Sequence, residues 1–288
     1  MGVSPHCSVT RSSGYSKRRK ERSKVRRQLL IFAIVATAVF SPTAVLAGEA
    51  PEGPVHIALG DSQAFGTGTP KPDKLGYSVF VSRWAHAINC GEEPPEACPG
   101  LEFANLTIPG AKSSDLIATQ LGPALDLIAD RNGDPDAGND VVLITVTIGG
   151  NDLFRPVLDA CSGGATPTCV TTIQSLFTTY ASNLALILGS LRDAAPDAQI
   201  VQSTYPNGAP TCFLAPLSPF FELVLEGGPG LPVGFNDIIR GTAAAFDVGV
   251  ADLWGQLDSD DWVGGQDCNH FDISGYHRVA EVFLAVID

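Results

Sequence analysis

An open α/β fold around a parallel sheet is predicted by three observations. First, β-branched apolar runs alternate along the chain with segments of helical period. Second, several of these runs are apolar nearly throughout, the pattern of strands buried on both faces. Third, no internal repeat or long linker interrupts the pattern, so residues 48–288 read as one domain. The strands are expected at 55–60 (VHIALG), 102–108 (EFANLTI), 141–148 (VVLITVTI), 199–205 (QIVQSTY) and 246–253 (FDVGVADL). Helices are expected between and after them, at roughly 76–88, 113–129, 168–193, 234–245 and 273–287. In sheets of this kind, ligands bind beyond the carboxyl ends of the strands. Ser62, Gly110, Asn151 and the turn Tyr205-Pro206-Asn207 all fall at those ends.

The first 47 residues read differently from the rest. Arg11 to Arg27 holds nine Lys/Arg against one acid, Glu21, and the apolar stretch Leu29–Ala47 follows. Ser41-Pro42-Thr43 interrupts the apolar run, and the small residues Val45 and Ala47 close it. This is the pattern of a cleaved export signal rather than a retained membrane anchor. Arg26-Arg27 resembles a twin-arginine signal, but a basic start is common to all export routes and does not choose between them.

Residues 48–288 retain nine basic and 30 acidic side chains, a net charge of −21. Such a surface repels phosphate backbones and anionic head groups, so nucleic acid is excluded as a partner. Six of the seven cysteines lie in this segment: Cys90, Cys98, Cys161, Cys169, Cys212 and Cys268. An even count in an exported chain predicts three disulfides, with 15 connectivities open. Cys90 with Cys98 and Cys161 with Cys169 each flank a short Gly/Pro-containing loop, which favours local pairing and leaves Cys212 for Cys268. No C-x-x-C is present, so a metal site is not expected.

The chain lacks G-x-S-x-G, the phosphate-binding G-x-x-x-x-G-K-[ST], the dinucleotide G-x-G-x-x-G and the zinc motif H-E-x-x-H. What it has is more dispersed. Gly60-Asp61-Ser62 closes the first strand; Gly, Asp and Ser suit an ordinary turn and equally suit a serine aimed from a strand end. Asp267 and His270 are three residues apart. An Asp beside a His can hold the imidazole as base to a serine; the same pair can also cap a helix. Asn151 follows Gly149-Gly150, where its side-chain N–H could face a developing oxyanion or simply complete a Gly-Asn turn. Gly110 follows Pro109, where its bare backbone N–H is open to a ligand, and Ser113 or Ser114 could cap the next helix.

Taken in order, Gly60-Asp61-Ser62, Gly110, Gly149-Gly150-Asn151-Asp152 and Asp267-x-x-His270 resemble the SGNH/GDSL hydrolases over nearly all of residues 54–288. The leader, the acidic mature chain and the six cysteines resemble secreted actinobacterial esterases and lipases of that family. The resemblance implies a flavodoxin-like three-layer α/β/α sandwich with a five-stranded parallel sheet. It implies Ser62 as nucleophile, His270 as base and then acid, and Asp267 as the group that orients His270. Some relatives use a backbone carbonyl in place of that acid. The oxyanion hole would be the backbone N–H of Ser62, the N–H of Gly110 and the side chain of Asn151, with Asp152 supporting its loop. Gln63 stands where the name-giving motif has Leu, at a position without a chemical role. The resemblance implies neither metal nor organic cofactor. The partner would be a small-molecule or lipid ester, and the chain is expected to be secreted, free of a stable membrane anchor and monomeric.

Residues 213–235 (FLAPLSPFFELVLEGGPGLPVGF) are rich in Phe, Leu and Pro and carry two charges, Glu222 and Glu226. Pro216, Pro219, Pro229 and Pro232 break any single long helix. The segment reads either as a buried connection over the core or as an apolar wall beside the site. The second reading favours a fatty-acyl ester; short acyl esters, acetylated sugars and a non-catalytic acyl-binding role are the alternatives. The acidic stretch 130–140 lacks the Gly and Glu of a calcium loop and reads as a solvated connection. Asn105-Leu106-Thr107 is a glycosylation sequon in form, discounted because it falls in an expected core strand.

Overall fold

The computed structural model describes residues 53–90, 101–135 and 137–287, and of residues 86–90 the backbone alone. The 1–47 leader therefore lies outside the described residues, as does the expected Cys90–Cys98 pair. In chain order the elements are β1 (Val55–Gly60), α1 (Ser62–Phe65), α2 (Pro72–Leu75), α3 (Tyr77–Cys90), β2 (Glu102–Asn105), α4 (Ser113–Thr119), α5 (Leu121–Arg131) and β3 (Val141–Thr147). There follow α6 (Gly150–Cys161), α7 (Pro167–Ala194), β4 (Gln199–Ser203), α8 (Ser218–Glu226), α9 (Phe235–Ala245), β5 (Gly249–Ala251), β6 (Trp262–Gly264), β7 (Asp267–Phe271) and α10 (Ile273–Leu284).

β1 to β5 form one sheet in the order β2-β1-β3-β4-β5, and every pairing in it is parallel. That is the flavodoxin-like order, with its switch point between β1 and β3. β1 is buried along its whole length, as its unbroken apolar run requires. Period-2 alternation divides its side chains between two cores. Val55, Ile57 and Leu59 join Ile144 and Val146 of β3 against α4, α5, α7 and α9. On the opposite face Leu143 and Val201 pack with Tyr77 and Phe80 of α3 and with Val279 and Phe283 of α10. Helices on both faces of the sheet make the three-layer sandwich.

Two expected elements change shape for identifiable reasons. The helix expected over 113–129 is two helices, α4 and α5, meeting at Gln120. The buried Gln120 side chain accepts from the Gly60 N–H at 2.8 Å and donates to the Gly60 carbonyl at 2.9 Å. It thereby pairs with both backbone groups at the end of β1, where the Gly60 carbonyl also accepts from the Ile108 N–H at 3.0 Å. The strand expected over 246–253 shortens to Gly249–Ala251, because Phe246 closes α9 and Asp247 takes a left-handed φ of 54°.

Two serine and asparagine assignments also change. Neither Ser113 nor Ser114 is the N-cap of α4; that position is Lys112, and Ser113 Oγ instead donates to Asp152 at 2.6 Å. Asn105 ends an edge strand and is exposed, not core, and its side chain accepts from the Thr107 N–H and hydroxyl.

The segment 213–235 is in part a buried connection. Its prolines keep it from forming one long helix, and the intervening α8 turns Phe221, Val224 and Leu225 into the core. Phe213, Leu217 and Val233 remain exposed. Among the described residues, no helix is long and apolar enough to cross a membrane.

Candidate active site

The carboxyl end of β1 delivers the first functional side chain. Gly60 leaves the strand at a φ of 138°, and Asp61 caps α1 by accepting from the Gln63 N–H at 2.9 Å. Ser62 is therefore the first residue of a one-turn helix beyond the carboxyl end of β1. Asp61 is buried beneath it and also accepts from the Tyr205 hydroxyl at 3.0 Å. Burial, with the nearby charge of Asp152, pushes the Asp61 carboxyl up to about 7; its hydrogen bonds work in the opposite direction.

The second contribution comes from β7, which pairs antiparallel with β6. Asp267 and His270 lie on this bent ribbon and not at a helix start; the N-cap of α10 is Asp272. One oxygen of Asp267 accepts from the backbone N–H groups of Asn269 and His270, at 2.9 and 3.1 Å. The other lies 2.8 Å from His270 Nδ1. Burial opposes ionisation of Asp267, yet these N–H groups and the imidazole together hold its carboxyl below the ordinary range. His270 Nε2 lies 2.8 Å from Ser62 Oγ. Carboxylate, imidazole and hydroxyl thus form one hydrogen-bonded line, the geometry in which an imidazole can take a proton from serine while its other nitrogen is held by a fixed anion.

Three contacts tie β7 to its surroundings. Cys212–Cys268 is a disulfide, tying the 213–235 segment two residues from His270. Gln63 Nε2 donates to the Asn269 carbonyl at 2.7 Å. Gly68, at a φ of 105°, passes so close that a Cβ there would lie 2.7 Å from the Phe271 carbonyl oxygen and 3.1 Å from His270 Cβ. Gln63 therefore has a structural task that the sequence reading did not assign to it.

β3 and α6 supply the third side. Gly149, at a φ of 132°, presses against the rings of Tyr180 and Phe235, and α6 begins at once. Asn151 Nδ2 donates to the Ala111 carbonyl at 2.9 Å, which leaves one of its two amide hydrogens free of that bond. Asp152 accepts from the Ser113 N–H and hydroxyl, so it locks the 110–113 turn to α6, as a supporting residue should.

A cleft of about 280 Å³ opens over these groups, with Ser62, Gln63, Asn151, Phe154, Leu158 and His270 in its wall. The structure thus brings Ser62, His270, Asp267 and Asn151 together. Gly110 lies just outside that wall, with a φ of 83° and open space where a Cβ would be, one residue from the carbonyl that Asn151 grips. Sequence reading missed α6 itself, and with it Phe154 and Leu158. The signal was present as Asn151, Phe154, Arg155 and Leu158 at helical spacing, masked by Gly149-Gly150 and Pro156. The second expected disulfide, Cys161–Cys169, is also formed, between α6 and α7.

The model of the GDSL-like lipase/acylhydrolase family matches residues 58–278. The chain belongs to that family. It is accordingly an ester hydrolase, and its site is read on that footing. No curated protein sequence matches it. Among solved structures, this GDSL-like hydrolase is similar to a lipase from goat rumen metagenome at 16% identity, TM-score 0.58, over 81% of this chain and 97% of the other. It is also similar to a phospholipase A1 from Streptomyces albidoflavus NA297 at 20% identity, TM-score 0.52, over 81% and 99%. A third likeness is to a catalytic mutant of an acetylxylan esterase from Geobacillus stearothermophilus, at 15% identity, TM-score 0.50, over 82% and 94%. At these identities the likeness is one of fold.

Proposed function

We propose that the chain is a secreted serine hydrolase of carboxylic esters with apolar, fatty-acyl chains, acting through an acyl-enzyme. The observation that carries this reading is the line Asp267–His270–Ser62, with both imidazole hydrogen bonds at 2.8 Å. Ser62 Oγ attacks the ester carbonyl carbon, and its proton passes to His270 Nε2. The oxyanion takes hydrogen bonds from the Ser62 N–H, the Gly110 N–H and the second amide hydrogen of Asn151. The carbon–oxygen bond to the alcohol breaks as His270 returns the proton to that oxygen. Water then repeats the sequence on the acyl-enzyme, releasing the acid and restoring Ser62. Asp267 keeps the imidazole in the tautomer that presents Nε2 as acceptor and stabilises the imidazolium.

Two features support secretion. Residues 1–47 carry the pattern of an export signal, and the two disulfides suit an oxidising compartment. The fatty-acyl preference is supported by Phe154 and Leu158 in the cleft wall and by the apolar 213–235 segment beside it.

The test is turnover of p-nitrophenyl acyl esters by residues 48–288, together with the variants Ser62→Ala and His270→Ala. Each variant, with wild-type circular dichroism, is expected to lose at least about a thousandfold in kcat/KM. A fluorophosphonate should label wild type at Ser62. Undiminished turnover in either folded variant would rule the assignment out. A wild-type protein that neither turns over esters nor is labelled would instead be an acyl-binding module.

A further inference from the structure

An apolar groove of about 440 Å³ lies beside the catalytic cleft, walled by Leu158, Cys161, Gly164, Ala165, Leu217 and Phe220. Leu158 belongs to both walls, so the two spaces adjoin across one side chain. α6 explains why they adjoin. Asn151, Phe154, Leu158 and Cys161 recur at spacings of three and four, so they form one stripe along the helix. The stripe begins at the expected oxyanion donor and ends at the apolar groove. From Asn151 to Leu158 is two turns, roughly 10 Å. Opposite the stripe, the groove is closed by Leu217 and Phe220, the edge of the segment that Cys212–Cys268 ties to the His270 strand. Its far end is the Cys161–Cys169 loop.

We propose that this groove is the binding site for the distal part of the acyl chain, and that the disulfide loop 161–169 sets how long a chain is accommodated. The inference rests on the acyl-enzyme reading above and names the subsite of that same reaction. An acyl carbon held at Ser62 directs its chain along the α6 stripe. An acetyl group ends within the cleft; a chain that spans the two helical turns reaches Leu158 and enters the groove. Each further methylene buried there leaves water for an apolar wall and strengthens binding of the chain.

The experiment measures kcat/KM for p-nitrophenyl acetate, octanoate and dodecanoate. Wild type is expected to favour octanoate over acetate by at least about tenfold. Ala165→Trp, which fills the groove from an exposed loop, is expected to lower the dodecanoate-to-acetate ratio by at least about tenfold. Phe220→Ser, which makes the facing wall polar, is expected to lower it in the same direction and serves if the first variant does not fold. A second readout is calorimetric binding of dodecanoate to Ser62→Ala, expected to weaken about tenfold when Ala165→Trp is added. A ratio that moves less than about twofold in folded variants that still turn over esters would overturn the acyl-chain site alone. A wild type that hydrolyses no ester of any length would overturn the acyl-enzyme reading and this inference with it.

Discussion

Gln63 and Asn269 are 206 residues apart in sequence, and the side-chain N–H of the first donates to the carbonyl of the second at 2.7 Å. The bond joins the residue after Ser62 to the residue before His270. It is partly buried, and it spans the two segments whose separation sets the Ser62–His270 distance. Gln63→Leu removes the donor and leaves the Asn269 carbonyl without it. We expect kcat to fall about tenfold to a hundredfold with KM little changed, since misplacement of reacting groups costs rate before binding. Steady-state kinetics on a short ester checks this; an unchanged kcat in a folded variant would show that the bond does not set the geometry.

Asp267 holds His270 through both its side chain and its backbone. Asp267→Asn preserves size but presents an amide to Nδ1, which reverses the tautomer preference. Loss of about a thousandfold to ten-thousandfold in kcat is the expected outcome, by analogy with serine triads in general. Thermal unfolding of the same variant separates that loss from a loss of fold.

Two buried groups give stability opposite dependences on pH. Burial holds His56 down to about 3, so the folded chain resists a proton that the unfolded chain accepts below about 6.5. Stability from His56 is therefore lost as pH falls from about 6.5 towards 3. Asp61 is raised to about 7, so its contribution is present below about 3.8 and is lost as pH rises through 7. Each is worth at most about 5 kcal/mol, and between about 4 and 6.5 they oppose one another. In urea titrations, His56→Gln should leave stability falling as pH rises over that window. Asp61→Asn should leave it falling as pH is lowered.

Cys212–Cys268 closes a separation of 56 residues and ends beside Asn269. Removing it in Cys212→Ala/Cys268→Ala is expected to cost about 2–4 kcal/mol in urea unfolding. Turnover should fall as well, because the strand bearing His270 loses one of its three attachments to the rest of the site. Restoration of both by a second route, such as added glycerol, would separate mobility of the strand from chemical damage.

Much of this protein is legible from local pattern. The buried parallel strands announced themselves because a strand covered on both faces must be apolar nearly throughout, and β1 and β3 are, with only His56, Thr145 and Thr147 as polar exceptions. The positions of Ser62, Gly110 and Asn151 followed, since strand ends fall where such runs stop. α6 was hidden because glycines and a proline, each unfavourable in a helix by itself, stand in it for reasons of tertiary fit: Gly149 at its start clears Tyr180 and Phe235, and no local signal records that contact. The split at Gln120 was hidden for the same reason, since its partner Gly60 lies 60 residues away.

The amino-acid sequence by itself determined the sheet, its parallel sense and the Cys161–Cys169 and Cys212–Cys268 pairs, and its four short motifs, through their resemblance to a known family, pointed to the residues of the site. The sheet depends on periodicity, burial and composition, which are properties of neighbours along the chain. Only the tertiary structure decided that Asp267, His270 and Ser62 form one hydrogen-bonded line, that Gln63 helps to hold it, and that α6 carries an apolar path away from it. Distances of 2.7–2.8 Å between groups more than 200 residues apart arise from the packing of a β1 turn, an antiparallel ribbon and a disulfide-tied loop. No local property of any one of those segments contains the distance, because it is fixed by how all three meet.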